Sequence, residues 1–119
     1  MKEQDLLNQV MAWLTANGVV CWRNNSTGVF DPVKKSFRRP SKWSRNGVSD
    51  ILGVVPGTGQ ILCIELKKPP LGKRSESALW NMLSDNQKSF IDDVNMNGGL
   101  AFAADSLETV RHHLLPFLH

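Results

Sequence analysis

The sequence has few of the residues that build disulfide-rich or zinc-binding proteins. It contains 2 cysteines in 119 residues, Cys21 and Cys63, and they form no CxxC spacing. Its 3 histidines all fall near the end of the chain, at positions 112, 113 and 119. The sequence therefore predicts neither a zinc site nor a disulfide framework. We expect both thiols to be reduced and packed as small hydrophobic groups.

The sequence also lacks long apolar runs, a secretory signal, low-complexity tracts and internal repeats. We therefore expect a soluble, cytoplasmic protein without a membrane partner. Hydrophobic residues make up 41% of the chain, which is enough for a core of its own. Because the chain has no room for a second core, we expect a single domain over residues 1–119.

Two short apolar runs stand at the centre of the chain, over residues 51–55 and 61–66. Both are rich in branched apolar residues, which favours β-strands, and the Pro-Gly-Thr-Gly sequence between them is typical of a turn. In an antiparallel hairpin with this loop, Val55 lies opposite Gln60.

Counting outward from that turn places Asp50 directly opposite Glu65, with their Cβ atoms about 5 Å apart. Lys67 lies on the same face as Glu65, because side chains alternate along a strand. Two opposed carboxylates repel each other, and a divalent cation would offset the repulsion. Such oxygen ligands suit Mg²⁺ or Mn²⁺, while Lys67 could orient an attacking water. The pattern indicates metal-dependent cleavage of phosphodiesters.

A purely structural role for these residues is the alternative. Asp50 could mark the turn that enters a strand, and Glu65 and Lys67 could form a solvated pair at a sheet edge. However, apolar residues occupy both faces of residues 61–66, which is typical of a strand covered on both sides. An acid and a base in such a strand need a partner. The three residues together therefore favour catalysis.

Asp50 followed by Glu65-Leu66-Lys67 has the form of the PD-(D/E)XK nuclease motif, with Ser49 in the position that the motif gives to proline. Further elements that support the same assignment are Glu3 in an opening helix, Gly47-Val48 before Ser49, and Leu83, Ser84 and Gln87 around the start of a later helix.

This ordered combination resembles a stand-alone VRR-NUC domain of phage type. The resemblance implies a restriction-endonuclease-like fold and a homodimer that acts on DNA. It also implies that Asp50, Glu65 and the backbone carbonyl of Leu66 bind Mg²⁺ or Mn²⁺, and that Lys67 serves the attacking water.

Glu3 and Gln87 would be supporting active-site residues by the same resemblance, but each has another explanation. Glu3 lies in the first turn of a predicted helix, where a carboxylate interacts favourably with the helix dipole. Gln87 follows Ser84 by three residues, which is the spacing of a capping box. Capping would explain both residues of that pair without any chemistry.

Residues 23–45 hold seven basic residues against the single acid Asp31, a net charge of +6, whereas the whole chain carries +3. Phe30, Phe37 and Trp43 are interleaved with these cations, a combination that suits a phosphate backbone and stacked bases. We call residues 24–46 the basic arm. The residues expected to contact DNA are Lys34, Lys35, Arg38, Arg39, Lys42 and Arg45, with Lys68 beyond the motif.

The alternative for the basic arm is a solvated loop whose aromatic residues pack on the core. Compact domains rarely contain more than about 15 residues of structureless loop, so the arm should be functional or contain a hairpin of its own. Residues 29–30 and 36–37, on either side of Asp31-Pro32, could form that hairpin.

The predicted fold is α/β. The stretch after Pro69-Pro70 shows no periodicity. A strand, a helix and another strand give a parallel pair, whereas the preceding hairpin is antiparallel, so we expect a mixed sheet flanked by helices. The elements predicted are a helix ending at residues 17–18, strands over 19–23, 51–55 and 61–66, a helix starting at Ser84, a strand over 100–104 and a closing helix capped by Asp105 or Ser106.

The sequence therefore predicts a metal-dependent DNA endonuclease, with branched or otherwise structured DNA, such as a Holliday junction, as its substrate. A non-catalytic nucleic-acid-binding module that uses the basic arm is the first alternative. A metal-dependent hydrolase of small phosphate esters is the second, although a small substrate has no evident use for so extended a basic arm.

Overall fold

The computed structural model describes residues 1–24, 30–31, 33, 36–37 and 42–118. It contains a mixed four-stranded sheet and a separate two-stranded hairpin. The elements are α1 (Glu3–Ala16), β1 (Cys21–Arg23), β2 (Phe30–Asp31), β3 (Ser36–Phe37), β4 (Ile51–Val54), β5 (Ile61–Leu66), α2 (Glu76–Asn81), α3 (Asp85–Met96), β6 (Leu100–Ala104), α4 (Leu107–Leu114) and a 3₁₀ helix (Leu115–Phe117).

The main sheet has the strand order β1-β4-β5-β6. β4 pairs antiparallel with both β1 and β5, whereas β6 pairs parallel with β5 after the crossover through α2 and α3. The expected mixed sheet flanked by helices is therefore confirmed, as is the closing helix. Ser106, rather than Asp105, caps that helix by accepting a hydrogen bond from the backbone N–H of Thr109.

The hairpin register agrees with the count made from the sequence. Ile51 pairs with Ile64 and Val54 pairs with Ile61. At the turn, the backbone N–H of Val55 donates to the carbonyl of Gln60 at 2.8 Å. One step outward from the Ile51–Ile64 pair, the same register sets residue 50 opposite residue 65.

Both faces of the sheet are covered, which explains why β5 is buried from Leu62 to Leu66. One face packs against α1 and α4 and the other against α3. Alternation along β5 sends Leu62, Ile64 and Leu66 into the first core and Cys63 into the second. Glu65 follows Cys63 on the α3 face, so its carboxylate is carried by a strand with apolar packing on both sides.

Three features differ from the sequence expectation or extend it. Helix α2 was not predicted, because six residues are too few to show a helical period, although Ser75 caps it by accepting from the N–H of Ala78. The strand predicted over residues 19–23 is shorter. The hairpin within the basic arm is confirmed by the pairing of Phe30 with Phe37, while residue 29 lies outside the described residues.

In the part of the chain that the structure describes, every helix is too short or too polar to cross a membrane.

The loop before β4 packs directly on the first turn of α3. Gly47 makes this possible, with a φ of 82°. A Cβ atom on Gly47 would lie 2.4 Å from the backbone carbonyl carbon of Asn86 and 2.7 Å from the backbone nitrogen of Gln87. Only glycine combines this backbone conformation with so close an approach.

We expect Gly47→Ala to destabilise the protein more than Gly57→Ala does. Gly57 has a similar φ of 79° but no atom within 4 Å of a Cβ position, so its substitution should cost about 1–2 kcal/mol from backbone strain alone. The clash with α3 should add about 1–3 kcal/mol for Gly47→Ala. Urea denaturation of the two variants measures the difference, and equal losses would show that the loop does not need this contact.

Candidate active site

The side chains of Asp50 and Glu65 are held together across the β4–β5 hairpin. The backbone N–H of Asp50 donates to Oε2 of Glu65 at 3.2 Å. In the other direction, the N–H of Leu66 donates to Oδ2 of Asp50 at 2.8 Å. Each carboxylate therefore accepts a hydrogen bond from the opposite strand, and the predicted opposition of the two acids is present.

Glu65 is one of the two buried polar or charged residues in the described part of the chain, with 4% of its surface exposed. Burial and the neighbouring carboxylate of Asp50 raise the pKa of Glu65 to about 8, against the opposing effect of the Lys67 ammonium. Burial and repulsion from Asp50 therefore favour the protonated form of the Glu65 carboxyl. A positive charge between the two acids would release that proton.

Lys67 follows Glu65 by two residues and therefore points to the same face of the sheet. Its charge acts on Glu65, since it lowers the pKa that burial raises. Its backbone N–H donates to the carbonyl of Ala104 at 2.9 Å, which ties the end of β5 to β6. The backbone that carries the Lys67 side chain is thus fixed beside the carboxylate pair.

Gln87 both caps α3 and contacts the acid pair. Its Oε1 accepts a hydrogen bond from the backbone N–H of Ser84 at 2.9 Å, while its own N–H donates to the hydroxyl of Ser84 at 3.1 Å. The remaining amide group is directed at the sheet, where Nε2 donates to Oε1 of Glu65 at 2.5 Å. The predicted capping box is therefore present, and it orients the amide that contacts Glu65.

A small cavity of about 130 Å³ lies on the other side of Asp50. Glu3 lines it from the start of α1, and Arg23 lines it from the end of β1. In the described ranges, no three side chains of the His, Cys, Asp and Glu types are grouped closely enough to hold one metal ion. Glu3 therefore adjoins the Asp50–Glu65 pair without forming a three-carboxylate cluster with it.

Arg23 was counted in the basic segment but was not singled out as a site residue. The signal that could have found it is strand pairing, because Arg23 pairs with Ile51, the residue after Asp50. The backbone N–H of Asn24 also donates to the carbonyl of Asp50 at 2.7 Å. The end of β1 is therefore fixed against the residue that carries the first carboxylate.

Ser49 is fully buried, and its hydroxyl has no hydrogen-bond partner within the described part of the protein. An unpaired buried hydroxyl costs about 1–3 kcal/mol. This residue stands where the motif has proline, which has no polar side chain to satisfy.

The basic residues lie in different surroundings. Arg45 forms an ion pair with Asp93 on α3 at 2.6 Å and lies 5.2 Å from the ring centre of Phe90. The ammonium of Lys42 lies 5.2 Å from the ring centre of Trp43. Lys68 is exposed. The remaining residues expected to contact DNA, which are Lys34, Lys35, Arg38 and Arg39, lie outside the described residues.

The raised pKa of Glu65 should make the stability of the metal-free protein fall with rising pH. The folded protein keeps a proton on Glu65 up to about pH 8, whereas a solvated glutamate carboxyl loses it near pH 4.5. The stabilisation is therefore complete below pH 4.5 and is lost as the pH rises through about 8. Glu65→Gln removes the titration and keeps a similar shape.

Thermal unfolding in a chelator between pH 4 and 9 measures this effect as the difference in Tm between the wild type and Glu65→Gln. We expect the Tm of the wild type to fall relative to the Tm of Glu65→Gln as the pH rises. A constant difference would contradict the raised pKa.

Comparison with known proteins bears on the fold. No protein-family model matches the sequence, and no curated protein matches it. A solved structure described as a VRR_NUC domain protein superposes with a TM-score of 0.62 at 16% sequence identity, covering 98% of this chain and 88% of that one. Identity this low is informative about fold alone. The chain therefore has the restriction-endonuclease-like fold of a VRR-NUC domain.

Proposed function

We propose that the protein is a metal-dependent DNA endonuclease that hydrolyses phosphodiester bonds. The observation that carries this proposal is the Asp50–Glu65 pair, buried enough to raise the pKa of Glu65 to about 8 and accompanied by Lys67. Perturbed titratable groups that converge at one place are typical of active sites. The similarity in fold to a VRR_NUC domain protein agrees with it.

The residues present fit a hard divalent cation. Two opposed carboxylates with a raised pKa form a donor set whose repulsion a cation would offset, and oxygen ligands select Mg²⁺ or Mn²⁺. Asp50, Glu65 and the backbone carbonyl of Leu66 would hold the ion. When bound, it would supply Lewis acidity toward a phosphoryl oxygen and lower the pKa of a bound water.

The protein's own groups have separate duties in this proposal. Lys67 orients the attacking water and stabilises the negative charge that develops on the phosphate. Gln87 holds the Glu65 carboxylate in place through its amide. Arg23 and Glu3 line the adjoining cavity, where the guanidinium of Arg23 would contact a phosphate oxygen and Glu3 would accept a hydrogen bond from water.

DNA is the proposed substrate because of the basic arm. Its concentration of positive charge before Asp50 suits a phosphate backbone, and Lys42 beside the exposed Trp43 offers both charge and a stacking surface. Branched or otherwise structured DNA and a homodimer are the finer parts of this proposal. A homodimer would suit two cuts in a symmetric junction.

The test is cleavage of labelled duplex, single-stranded, flap and four-way-junction DNA with Mg²⁺, Mn²⁺ or a chelator. Wild type should cut in a metal-dependent way. Lys67→Ala and Glu65→Gln should each lower the cleavage rate by at least about 100-fold, the scale of a lost general-acid-base or charge-stabilising group. The control is Lys73→Ala, which removes an exposed lysine from the segment between β5 and α2. This variant should cleave DNA like the wild type.

DNA binding must be measured in parallel, because it separates the two main candidates. Tight binding without cleavage under every metal condition would favour the non-catalytic binding module. Cleavage that survives in Glu65→Gln would remove the acid pair from the mechanism. Efficient cleavage of a small chromogenic diester would instead support the small-ester hydrolase.

The basic arm should set the salt dependence of DNA binding. Replacing Arg38 and Arg39 together by Ala should flatten the slope of log K against log salt by about 1–2, since each lost phosphate contact contributes about 0.9. Arg111→Ala is the matched control, because its guanidinium pairs with Glu108 within α4. Fluorescence anisotropy between 50 and 300 mM salt, a range of about sixfold, measures the slope. An unchanged slope in the double variant would exclude the arm from DNA binding.

A further inference from the structure

A cavity of about 470 Å³ lies along strand β6, whose Ala103 pairs with Glu65 on the neighbouring strand. It is lined by residues of β6, α2, α3, α4 and the segment before α2, and it is open to solvent. The nuclease chemistry proposed above makes no use of it. The lining residues on which the next steps depend are Arg74, Trp80, Asn95, Ala103, Asp105 and His113.

Two of the five residues of β6 direct their backbone N–H and C=O groups toward this cavity. Among the described strands, β6 has β5 as its one neighbour. Ala104 faces that neighbour, because its carbonyl accepts from the N–H of Lys67 at 2.9 Å. In a parallel ladder, alternate residues bond to the same neighbour. Ala101 and Ala103 therefore direct their N–H and C=O groups away from β5.

The two outward-facing residues, Ala101 and Ala103, differ in the hydrogen-bond partners of their backbone groups. The side-chain amide of Asn95 pairs with both groups of Ala101, accepting from its N–H at 2.8 Å and donating to its carbonyl at 2.9 Å. No described residue hydrogen-bonds to the backbone groups of Ala103. The edge of the sheet thus offers one donor and one acceptor, next to a position where a planar amide already makes the same pair of bonds.

Only one residue, Ala103, offers a backbone N–H and C=O without a hydrogen-bond partner among the described residues, which favours a compact ligand over a peptide strand. An added strand would bond to successive outward residues, and Asn95 already occupies the position at Ala101. A nucleobase carries an adjacent, coplanar donor and acceptor on one edge, so it matches one backbone pair. The cavity volume lies in the range of about 300–1,000 Å³ that is usual for small-ligand sites.

The walls suit a neutral aromatic ring. Trp80 lines the cavity, and His113 stacks on Phe102 with ring centres 3.9 Å apart and an interplanar angle of 15°. Burial, and to a lesser extent His112, lower the pKa of His113 against the opposing effect of Glu76, which favours a neutral ring. Aromatic side chains with restricted rings are the usual stacking partners of unpaired bases.

The charges of the walls disfavour a phosphate. Glu76, Asp92 and Asp105 line the cavity, and the guanidinium of Arg74 is paired with Asp105 at 3.0 Å. Among the described lining residues, acids therefore outnumber cations. Carboxylates can accept hydrogen bonds from an exocyclic amine, which favours adenine, cytosine or guanine over thymine.

The cavity also adjoins the candidate active site. Arg74 contacts the carbonyl of Lys68 at 3.3 Å as well as Asp105. Lys68 is the residue after Lys67, whose backbone is bonded to the end of β6. A DNA strand with its phosphate at the carboxylate pair would therefore pass close to this cavity.

We propose that the cavity receives one unstacked, amino-bearing base of the bound DNA strand, which pairs with the backbone N–H and C=O of Ala103. The proposal rests on the nuclease function proposed above and deepens it. Removing a base from the stack costs least where the base is already unpaired. A base-binding cavity beside the cleavage site would therefore select branched or looped DNA without reading its sequence closely.

The test is an abasic scan of a flap or junction substrate, with the wild-type protein in a chelator so that binding is measured without cleavage. One nucleotide near the scissile phosphate at a time is made abasic. We expect one position to weaken binding by about tenfold, the scale of one base–aromatic contact. A nonpolar isostere at that position keeps the stacking but not the pairing, so it should give an intermediate loss. Equal affinity at every abasic position would overturn the proposal.

The protein variant for this test is Ala103→Pro, which removes the outward N–H. Proline is tolerated at the edge of a sheet when its nitrogen faces away from the neighbouring strand. The variant should show a smaller difference between intact and abasic DNA, close to that of the nonpolar isostere, because stacking remains, whereas Ala103→Ser, which keeps the N–H, should retain the full difference. A position effect of undiminished size in Ala103→Pro would overturn pairing at Ala103. The substrate series tests the proposal even if the proline variant does not fold.

The two proposals fail in different ways. A position effect without metal-dependent cleavage would remove the nuclease and support the base-binding cavity. Cleavage without a position effect would do the reverse. Free adenosine separates the two sources of a base, since it should bind weakly and compete with DNA at the sensitive position. If adenosine binds and the scan is flat, the ligand is a free nucleoside, and the proposal for the DNA strand is overturned.

Discussion

The opposition of Asp50 and Glu65 is the constraint on which the surrounding structure depends. Two carboxylates placed across a hairpin repel each other, and burial makes their charge costlier still. The backbone N–H groups of Asp50 and Leu66 and the side-chain amide of Gln87 donate hydrogen bonds to the two carboxylates. Each of these donors is fixed by secondary structure. The two acids therefore stay together although their charges repel. The burial and repulsion that the hydrogen bonds do not offset raise the pKa of Glu65.

The acid pair could be predicted from the sequence because its rules are local. A short loop fixes the register, and period-two alternation fixes the face on which Glu65 and Lys67 lie. The supporting residues could not be predicted in the same way. The contact of Gln87 with Glu65 needs α3 to pack on the sheet, and the ion pair of Arg45 with Asp93 joins residues 48 positions apart. Tertiary packing decides such contacts, and no local pattern encodes them.

Gly47 and Ser49, both in the loop before β4, affect the stability of this site in different ways. Gly47 lets the loop approach α3 so closely that any side chain would collide with the helix backbone. Ser49 places a hydroxyl in the same buried region, where no described residue satisfies it. The first residue is required by the geometry, whereas the second is tolerated. An unpaired hydroxyl costs about 1–3 kcal/mol, and the site keeps its geometry despite this cost because the hairpin and the capped helix hold it independently.

The distribution of charge predicts how the DNA strand would be oriented in the proposed complex. The basic arm precedes Asp50 and would attract phosphates, while the cavity beside β6 is lined by more acids than cations and would repel them. A strand that spans both surfaces would lie with its backbone toward the arm and its bases toward β6. The scissile phosphate would then sit between them, at the Asp50–Glu65 pair. In duplex DNA the base edges are already paired, so the cavity could be filled only by breaking a pair. Unpaired DNA can satisfy both surfaces at once, and this difference gives a physical reason for a preference for branched substrates.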